Sequence, residues 1–504
     1  NIHIILEWKG YLMREILNIN KGWKFSKGVS SVPSKLPDDW QDIDLPYTWN
    51  GDDGQDGGND YYRGKGYFAK ILTKDKMPQG EEIYIQLDGV NSTAEVYFNG
   101  KKLCEHNGGY SAFRVKLDDI KDENLLVVTA DNSPNDYVYP QVADFTFYGG
   151  IYRDVKLIGV SKNHFDLDFF GSTSFAVTPV ISGNDAKITL DAYCNGEVEF
   201  EIDDGNEVVA KAKVSGKNPS ALLEIKDVHL WDGVDDPFLY NASAKLIVDG
   251  QVADEVKTRF GCRTFEIDAQ KGFILNGRPY PLRGVSRHQD RPHIGNALLP
   301  EHHKEDMDLI CEMGANTIRL AHYQHAQYFY DLCDERGIIV WAEIPYISKH
   351  LEKGVENTIS QMKELIFQNY NHPSIVVWGL SNEISMGGAT PAIVQNHKML
   401  NDLVHSIDKT RPTTEAVLTA CNINEEYVHI SDVLSYNHYF GWYGGDVSMY
   451  GDWFDNFHKK YPNKAIGMSE YGCEALNWHT SNPEQGDYTA VSYTHLTLPT
   501  ILLV

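Results

Sequence analysis

The chain has 504 residues, which is too long for one ordinary domain and predicts two to four domains. Hydrophobic residues make up 42% and aromatic residues 12% of the sequence, which is enough to build packed cores, so disorder is not the default expectation. Because 71 acidic residues stand against 45 basic ones, the net charge is −26, which disfavours binding to nucleic acid or to an anionic membrane. Composition therefore predicts a multidomain globular protein with neither of these partners.

The seven cysteines are scattered without a CxxC pair, which argues against a zinc site and against a disulfide framework. They are Cys104, Cys194, Cys262, Cys311, Cys333, Cys421 and Cys473. Reduced thiols suit a bacterial cytoplasm, with the periplasm left open as an alternative. No apolar run approaches the roughly 20 residues that a membrane-spanning helix needs. The opening Asn1–Leu6 is too short for a signal peptide.

Both ends of the chain differ in character from the rest. Met13 precedes the first segment that resembles a structured element, so residues 1–12 are interpreted as a non-native upstream tail. Residues 491–504 change abruptly in composition and are interpreted as a second non-native tail. We therefore expect the natural protein to continue beyond about residue 490.

Residues 14–162 have the pattern of a domain built from short strands. Ile83, Ile85 and Leu87 alternate with polar neighbours, and Asn99-Gly100 is a typical two-residue hairpin turn. This segment is predicted to be all-β.

Residues 163–263 contain a second series of short strands. Ile188 and Leu190 would face one side, Asn195-Gly196 would turn the chain, and Phe200 would lie on the returning strand. About a hundred residues with this pattern suit a β-sandwich.

From residue 264 to residue 490, amphipathic helices alternate with short apolar runs, which predicts a parallel sheet covered by helices. The predicted helices are His303–Met313, Ala326–Glu335, Ile359–Tyr370, Ile393–Ile407 and Trp453–Lys460. The predicted strands are Tyr280–Val285, Ala315–Ala321, Ile338–Glu343, Ile375–Asn382, Thr414–Leu418, Val433–Tyr439 and Ala465–Glu470. Seven strands with this rhythm fit a (β/α)₈ TIM barrel that lacks its last β/α unit. Because such a barrel exposes two unpaired edges and loses part of its core, we expect the chain as it stands to be poorly soluble or inactive and its full-length parent to be active.

Two glutamates stand at the ends of apolar runs in this barrel. Glu383 follows Ile375–Asn382, and Glu470 closes Ala465–Glu470. The carboxyl ends of barrel strands are where parallel barrels gather their chemistry, and two carboxylates there could supply the acid and the nucleophile of glycoside hydrolysis. The alternative is that each glutamate caps the next helix or pairs with a nearby arginine.

Several segments resemble motifs of one enzyme family. Asn371–Glu383 resembles the acid/base signature of glycoside hydrolase family 2, the β-galactosidase and β-glucuronidase family, and Gly467–Gly472 resembles its nucleophile segment. Arg283–Asp290 and Asn316–Tyr323 resemble two further barrel motifs. Ala143–Asp154 resembles the end of the family's N-terminal sugar-binding domain.

The resemblance extends over residues 14–490 and implies three domains in the family's order. Residues 14–162 would form an N-terminal sugar-binding jelly-roll domain, and residues 163–263 an immunoglobulin-like β-sandwich. Residues 264–490 would form the catalytic TIM barrel, incomplete by one unit. Members of the family often form dimers or tetramers, so the resemblance also allows a homo-oligomer.

The resemblance implies hydrolysis with retention of configuration. Glu470 would attack the anomeric carbon, while Glu383 would protonate the leaving oxygen and later deprotonate water. Asn382 matches a residue that binds the sugar 2-hydroxyl, with a helix cap as its alternative. Tyr439 matches a tyrosine that bonds the nucleophile, although a buried tyrosine can also be satisfied by a backbone carbonyl. Arg319 would support Glu470, with surface pairing as the alternative.

Four further residues match positions that line the family's sugar pocket. His288 and His322 would lie beside the sugar, although lone histidines are more often structural. Asp144 would reach the sugar hydroxyls from the first domain, with an Asx-turn in a loop as its alternative. Trp442 would either stack on a sugar face or simply pack.

One branch of the family binds magnesium beside the acid, through a Glu and a His after the third strand. Ile347 and Lys349 occupy those positions here, and His350 alone is a poor ligand set for an ion that prefers oxygen. The sequence therefore predicts no metal and no other cofactor.

The resulting functional prediction is a β-galactosidase acting on terminal, non-reducing β-D-galactosides, with a carbohydrate as its substrate partner. The nearest alternative is a β-glucuronidase, because Asn437–Tyr443 also resembles that branch. A catalytically inactive carbohydrate-binding homologue is a third interpretation, which the presence of both carboxylates disfavours.

Overall fold

The computed structural model describes residues 13–54 and 60–472. Both interpreted tails, residues 1–12 and 491–504, lie outside this part of the chain, as does Cys473. Across the described ranges, none of the helices combines the length and the apolar character that crossing a bilayer requires.

In its described residues the first domain contains thirteen strands in antiparallel sheets. They are β1 (Glu15–Asn18), β2 (Trp23–Lys27), β3 (Gln41–Ile43), β4 (Tyr47–Thr48), β5 (Lys65–Thr73), β6 (Glu82–Leu87), β7 (Val90–Asn91), β8 (Thr93–Phe98), β9 (Lys101–Asn107), β10 (Phe113–Leu117), β11 (Glu123–Asp131), β12 (Gly150–Ile151) and β13 (Val155–Val160). The two larger sheets, ordered β1-β13-β6-β10 and β3-β2-β5-β11-β8-β9, share one core around Trp23, Phe68 and Leu87. Asn99-Gly100 joins β8 to β9 with φ of 51° and 81°, which confirms the predicted hairpin turn.

The second domain is a sandwich of seven strands in two antiparallel sheets, ordered β14-β15-β18 and β17-β16-β19-β20. The strands are β14 (Phe175–Ser182), β15 (Asp185–Ala192), β16 (Asn195–Asp203), β17 (Val208–Lys217), β18 (Ser220–Ile225), β19 (Tyr240–Val248) and β20 (Gln251–Phe260). Ile188, Leu190 and Phe200 meet in the core between the sheets, as the alternation predicts. The turn predicted at Asn195-Gly196 is wrong, because Asn195 begins β16 and the chain crosses between the sheets just before it.

A small antiparallel sheet leads into the barrel. It consists of β21 (Phe265–Asp268), β22 (Gly272–Leu275) and β23 (Arg278–Pro279). Phe273 of β22 and Tyr280, which comes directly after β23, pack with Trp231 of the second domain and with Val377 of a barrel strand. Tyr280 therefore belongs to this packing layer and not to the first barrel strand, where the sequence had placed it.

Seven parallel strands then follow in chain order within one sheet. They are β24 (Gly284–Arg287), β25 (Thr317–Leu320), β26 (Ile339–Glu343), β27 (Ile375–Asn382), β28 (Thr413–Leu418), β29 (Val433–Asn437) and β30 (Ile466–Glu470). The helices are α1 (Pro300–Glu312), α2 (Gln327–Arg336), α3 (Val355–Asn369), α4 (Pro391–Ile407) and α5 (Met449–Lys460). In the described residues β24 and β30 each pair on one side only, and the Tyr471 hydroxyl donates to the Gly284 carbonyl at 3.3 Å. The fold is thus a nearly closed barrel of seven strands, which confirms the predicted architecture.

The first domain is attached to the barrel through α3. The Asn357 side chain accepts a hydrogen bond from the Tyr139 backbone N–H at 2.9 Å and donates to the Asn107 carbonyl at 2.9 Å. Glu364 of the same helix bonds His106 at 2.8 Å. These contacts fix the loop between β11 and β12 over the carboxyl ends of the barrel strands.

Replacing Gly379 by alanine is expected to strain the barrel interior. An added Cβ would lie 2.5 Å from both the Glu343 Cβ and the Trp341 Nε1 on the neighbouring strand. Such overpacking costs about 1–3 kcal/mol. Gly387→Ala is the matched control, because nothing lies within 4 Å of its added methyl group. Urea unfolding followed by tryptophan fluorescence should show a lower midpoint for Gly379→Ala alone, and equal midpoints would contradict the packing.

Candidate active site

The ends of β27 and β30 bring the two predicted glutamates into one site. All eight residues of β27 are buried, and Glu383 directly follows them with φ of 47°, in the left-handed region that a non-glycine residue seldom adopts. Glu470 is the last residue of β30 and its side chain is 14% exposed. The end of β29 links the two, because Asn437 donates to Glu383 Oε1 at 2.9 Å and Ser469 Oγ donates to Asn437 Oδ1 at 2.7 Å.

Arg319, near the end of β25, occupies the centre of the site. Its guanidinium donates through Nη1 to Glu470 Oε1 at 2.5 Å and through Nε and Nη2 to both oxygens of Glu343 at 2.9 Å. Nη2 also donates to Asn382 Oδ1 at 2.8 Å. One buried cation therefore holds the candidate nucleophile, a second carboxylate and the residue before the candidate acid.

His322 joins the same network from the segment after β25. Its Nδ1 lies 2.7 Å from Glu343 Oε1, and its Nε2 lies 3.7 Å from Glu470 Oε1. Glu343 is fully buried, so within the part of the chain that the structure describes its charge depends on Arg319 and His322.

Burial alone would raise the pKa of Glu470, but the positive charge of Arg319, the nearby His322 and the hydrogen bond from Tyr439 outweigh it, so the pKa is lowered. The Tyr439 hydroxyl donates to Glu470 Oε2 at 2.5 Å, which leaves both carboxylate oxygens occupied by donors. Glu470 is thus held ionised.

The opposite holds for Glu383. Burial raises its pKa, the hydrogen bond from Asn437 lowers it, and the negative charges of Glu470 and Asp144 raise it further, with a net upward shift. Two carboxyl groups in one site therefore have pKa values moved in opposite directions, as an acid and a nucleophile require.

The loop before β12 forms one wall of the site. Phe145 places its ring 4.9 Å from His288, 6.0 Å from His322 and 5.7 Å from Tyr323. The preceding Asp144 is exposed, and its charge raises the pKa of Glu383, so it faces the site from the first domain.

His288 follows β24 and bonds the Tyr323 hydroxyl through Nδ1 at 3.1 Å. Burial, followed by the charges of His322 and Arg319, lowers the pKa of His288 to about 3, so its imidazole is neutral at ordinary pH. It therefore faces the site as an uncharged hydrogen-bonding group.

Aromatic rings follow β29 on the other side. The Trp442 ring lies 5.2 Å from Tyr439 in an edge contact and stacks on Tyr443 at 4.1 Å. Tyr443 is 56% exposed, so this cluster reaches from Glu470 to the surface. Every residue predicted for the site thus lies at the carboxyl ends of the barrel strands or in the loop that covers them, and their individual roles stay predictions.

The sequence was compared with known proteins. Three models of glycoside hydrolase family 2 match consecutively: the sugar-binding domain at residues 7–160, the central domain at 173–263 and the TIM-barrel domain at 265–493. The chain belongs to glycoside hydrolase family 2.

Individual relatives within family 2 have different names. A β-glucuronidase of Bacteroides fragilis is 39% identical over 93% of this chain and 70% of its own length. A β-galactosidase of Thermoanaerobacter pseudethanolicus is 28% identical over 89% of this chain and 60% of its own length. A crystal structure of an FMN-binding β-glucuronidase from Faecalibacterium prausnitzii L2-6 superimposes with a TM-score of 0.89, at 41% identity over 95% of this chain and 75% of that one.

Sequence reasoning missed Glu343 and Asn437 as members of the family 2 site. Both stand at the ends of buried strands, which is the same signal that singled out Glu383 and Glu470. It also missed Phe145, whose position beside Asp144 in a recognised motif is the signal that was available.

The stretch after β26 does not gather metal ligands. Ile347 is buried, Lys349 is exposed, and His350 bonds the Tyr346 hydroxyl at 2.7 Å through Nδ1. These residues therefore do not fit the magnesium site that one branch of the family has beside the acid.

A second group of potential ligands lies away from the site, before β27. Asp331, Asp334 and His372 approach within 4.8 Å of one another. Burial lowers the pKa of His372, but the charge of Asp334, bonded to it at 2.6 Å, raises it more, with a net upward shift. Asp331 pairs with Arg259 at 3.3 Å. Both carboxylates of the cluster thus already have a partner within the chain.

Replacing Arg319 alone by methionine should destabilise the protein more than replacing Arg319 and its buried partner Glu343 together. The single change leaves the fully buried Glu343 without its cation, which costs about 3–5 kcal/mol. In the double variant Arg319→Met/Glu343→Gln the fully buried carboxylate is gone and only the partly exposed Glu470 has lost its cation, so part of that loss should return. Urea unfolding of both variants measures the difference, and equal losses would contradict the proposed charge balance.

Proposed function

We propose that this protein is a retaining glycoside hydrolase that cleaves β-glucuronides. The observation on which this depends is the placement of two carboxyl groups in one site, where Arg319 and Tyr439 bond Glu470 and lower its pKa while burial raises the pKa of Glu383. Family membership supports the reaction class.

In the first step an oxygen of Glu470 forms a bond to the anomeric carbon while the bond to the leaving oxygen breaks. Glu383 gives its proton to that oxygen, so the aglycone leaves as a neutral alcohol. Arg319 and Tyr439 hold the attacking carboxylate in place and ionised. The product of this step is a glycosyl ester of Glu470.

The second step uses the same residues with exchanged protonation. Esterification removes the negative charge of Glu470, so one cause of the raised pKa of Glu383 disappears and Glu383 can act as a base. It takes a proton from a water molecule that attacks the anomeric carbon, and the ester bond breaks. Glu470 returns as a carboxylate and the configuration is retained.

Asn382 is proposed to bind the sugar 2-hydroxyl. Its Oδ1 accepts from Arg319 and from Asn437, which fixes the amide with Nδ2 on the opposite side. A donor so oriented can strengthen its bond to the 2-hydroxyl as charge develops at the sugar.

The choice of glucuronide over the galactoside predicted from the sequence depends on the relatives. The Bacteroides fragilis and Faecalibacterium prausnitzii proteins, at 39% and 41% identity, are both named β-glucuronidases. The segment Asn437–Tyr443 also resembles that branch. A β-galactosidase is the second candidate, because the Thermoanaerobacter relative has that name at 28% identity. An inactive binding protein is disfavoured by the maintained pKa difference between the two carboxyl groups.

The proposal predicts faster hydrolysis of p-nitrophenyl β-glucuronide than of the β-galactoside, compared as kcat/KM. Glu470→Gln should lower kcat by at least about 10³-fold, because no nucleophile is left. Glu426→Gln, on the surface, is the control and should leave kcat unchanged. Proton NMR of the first-formed product should show the β anomer. Faster galactoside turnover would favour the second candidate, and an α anomer would contradict a retaining mechanism.

The two pKa shifts predict a bell-shaped pH profile for kcat/KM, with Glu470 setting the acid limb and Glu383 the basic limb. Tyr439→Phe removes a donor that stabilises the ionised form of Glu470, so the pKa of Glu470 should rise and the acid limb should move to higher pH. The basic limb should move less. An acid limb that stays in place would contradict the assignment of Tyr439.

A further inference from the structure

Asn437 lies between the two catalytic strands and contacts the acid directly. It ends β29 and is 1% exposed. Its Nδ2 donates to Glu383 Oε1 at 2.9 Å and to Asn382 Oδ1 at 3.2 Å, while its Oδ1 accepts from Ser469 Oγ at 2.7 Å. All three contacts of this amide are therefore made to residues beside or within the candidate catalytic pair.

The chemistry of the neighbours fixes which way the amide points. Asn382 Oδ1 already accepts from Arg319 Nη2 at 2.8 Å, so it presents an oxygen to Asn437. Glu383 Oε1 presents a second oxygen. A flipped Asn437 would place its own carbonyl oxygen against both acceptors, which leaves buried polar groups unpaired at a cost of about 1–3 kcal/mol. The Ser469 hydroxyl, donating to Oδ1, favours the same orientation.

The consequence concerns the position of the acid proton. In a neutral carboxylic acid the carbonyl oxygen accepts a hydrogen bond better than the hydroxyl oxygen, so the Asn437 N–H at 2.9 Å favours Oε1 as the carbonyl oxygen. The proton of neutral Glu383 is then confined to Oε2.

We propose that Asn437, oriented by Ser469, is a positioning residue that keeps the transferable proton of Glu383 on Oε2 and that oxygen directed at the glycosidic oxygen. This inference depends on the proposed function, since it assigns a role within the first, protonating step. Without Asn437 the carboxylic acid can place its proton on either oxygen and can rotate, and only one arrangement donates to the leaving group.

The test compares leaving groups in the 504-residue chain, using whichever aryl β-glycoside the wild type hydrolyses. A 2,4-dinitrophenyl group departs without protonation, whereas a phenyl group needs the acid. Asn437→Ala should lower kcat about 10–100-fold for the phenyl glycoside and less than about 5-fold for the dinitrophenyl glycoside. Because the lost N–H favoured ionised Glu383, the basic limb should also move to higher pH.

Ser469→Ala is the graded control. It removes the hydroxyl that orients the amide but keeps the amide, so it should change the same two quantities in the same direction by a smaller factor. Asn437→Ser covers the case in which the alanine variant fails to fold. A uniform loss for both leaving groups with an unmoved basic limb would mean that Asn437 is merely structural and would overturn the inference.

A second measurement is independent of turnover. In protein labelled with ¹³C at the glutamate carboxyl carbons, the Glu383 signal is the one that Glu383→Gln removes. Its titration midpoint should lie higher in Asn437→Ala than in the wild type, and an equal or lower midpoint would overturn the inference. A wild type that hydrolyses no glycoside would overturn the proposed function, while the titration would still decide whether Asn437 governs the Glu383 proton.

Discussion

The contact between Arg319 and its two carboxylates is the interaction on which the site depends. A guanidinium that is only 5% exposed serves Glu470 through one nitrogen and the fully buried Glu343 through the other two. Neither carboxylate could stay ionised at that depth without the cation, and the cation could not stay buried without them. The candidate nucleophile is thus held beside its cation because Arg319, Glu343 and Glu470 lie at or near the ends of three strands, β25, β26 and β30.

The candidate acid, Glu383, differs from Glu470 because Arg319 does not bond it. Among the described residues Glu383 accepts from one amide and forms no ion pair, so burial and the neighbouring negative charges outweigh that hydrogen bond and the charge of His322 and raise its pKa. Its backbone leaves the strand at φ 47°, a conformation that costs free energy and persists because the surrounding structure enforces it. Two chemically identical side chains therefore have pKa values shifted in opposite directions by their positions on one sheet.

The sequence predicted the strands of the barrel well, because runs such as Ile375–Asn382 have no polar alternation and can only be buried. The ends of two such runs singled out Glu383 and Glu470, and the family motifs then implied their roles. It could not identify Glu343 or Asn437, because a polar residue that ends a strand looks the same whether it contacts substrate, supports another side chain or caps a helix. The turn at Asn195-Gly196 failed for a related reason, since a local turn signal does not say whether the next strand joins the same sheet.

The wall formed by Phe145 has a consequence for recombining such enzymes. The ring that contacts His288 and His322 belongs to the first domain, and that domain is attached through Asn357 on the barrel's own helix. A barrel transplanted onto a foreign N-terminal module would lose the surface against which its histidines are aligned. The first domain and the barrel therefore have to be exchanged together. Recombination between relatives should succeed only when both domains and the contacts at α3 come from the same parent.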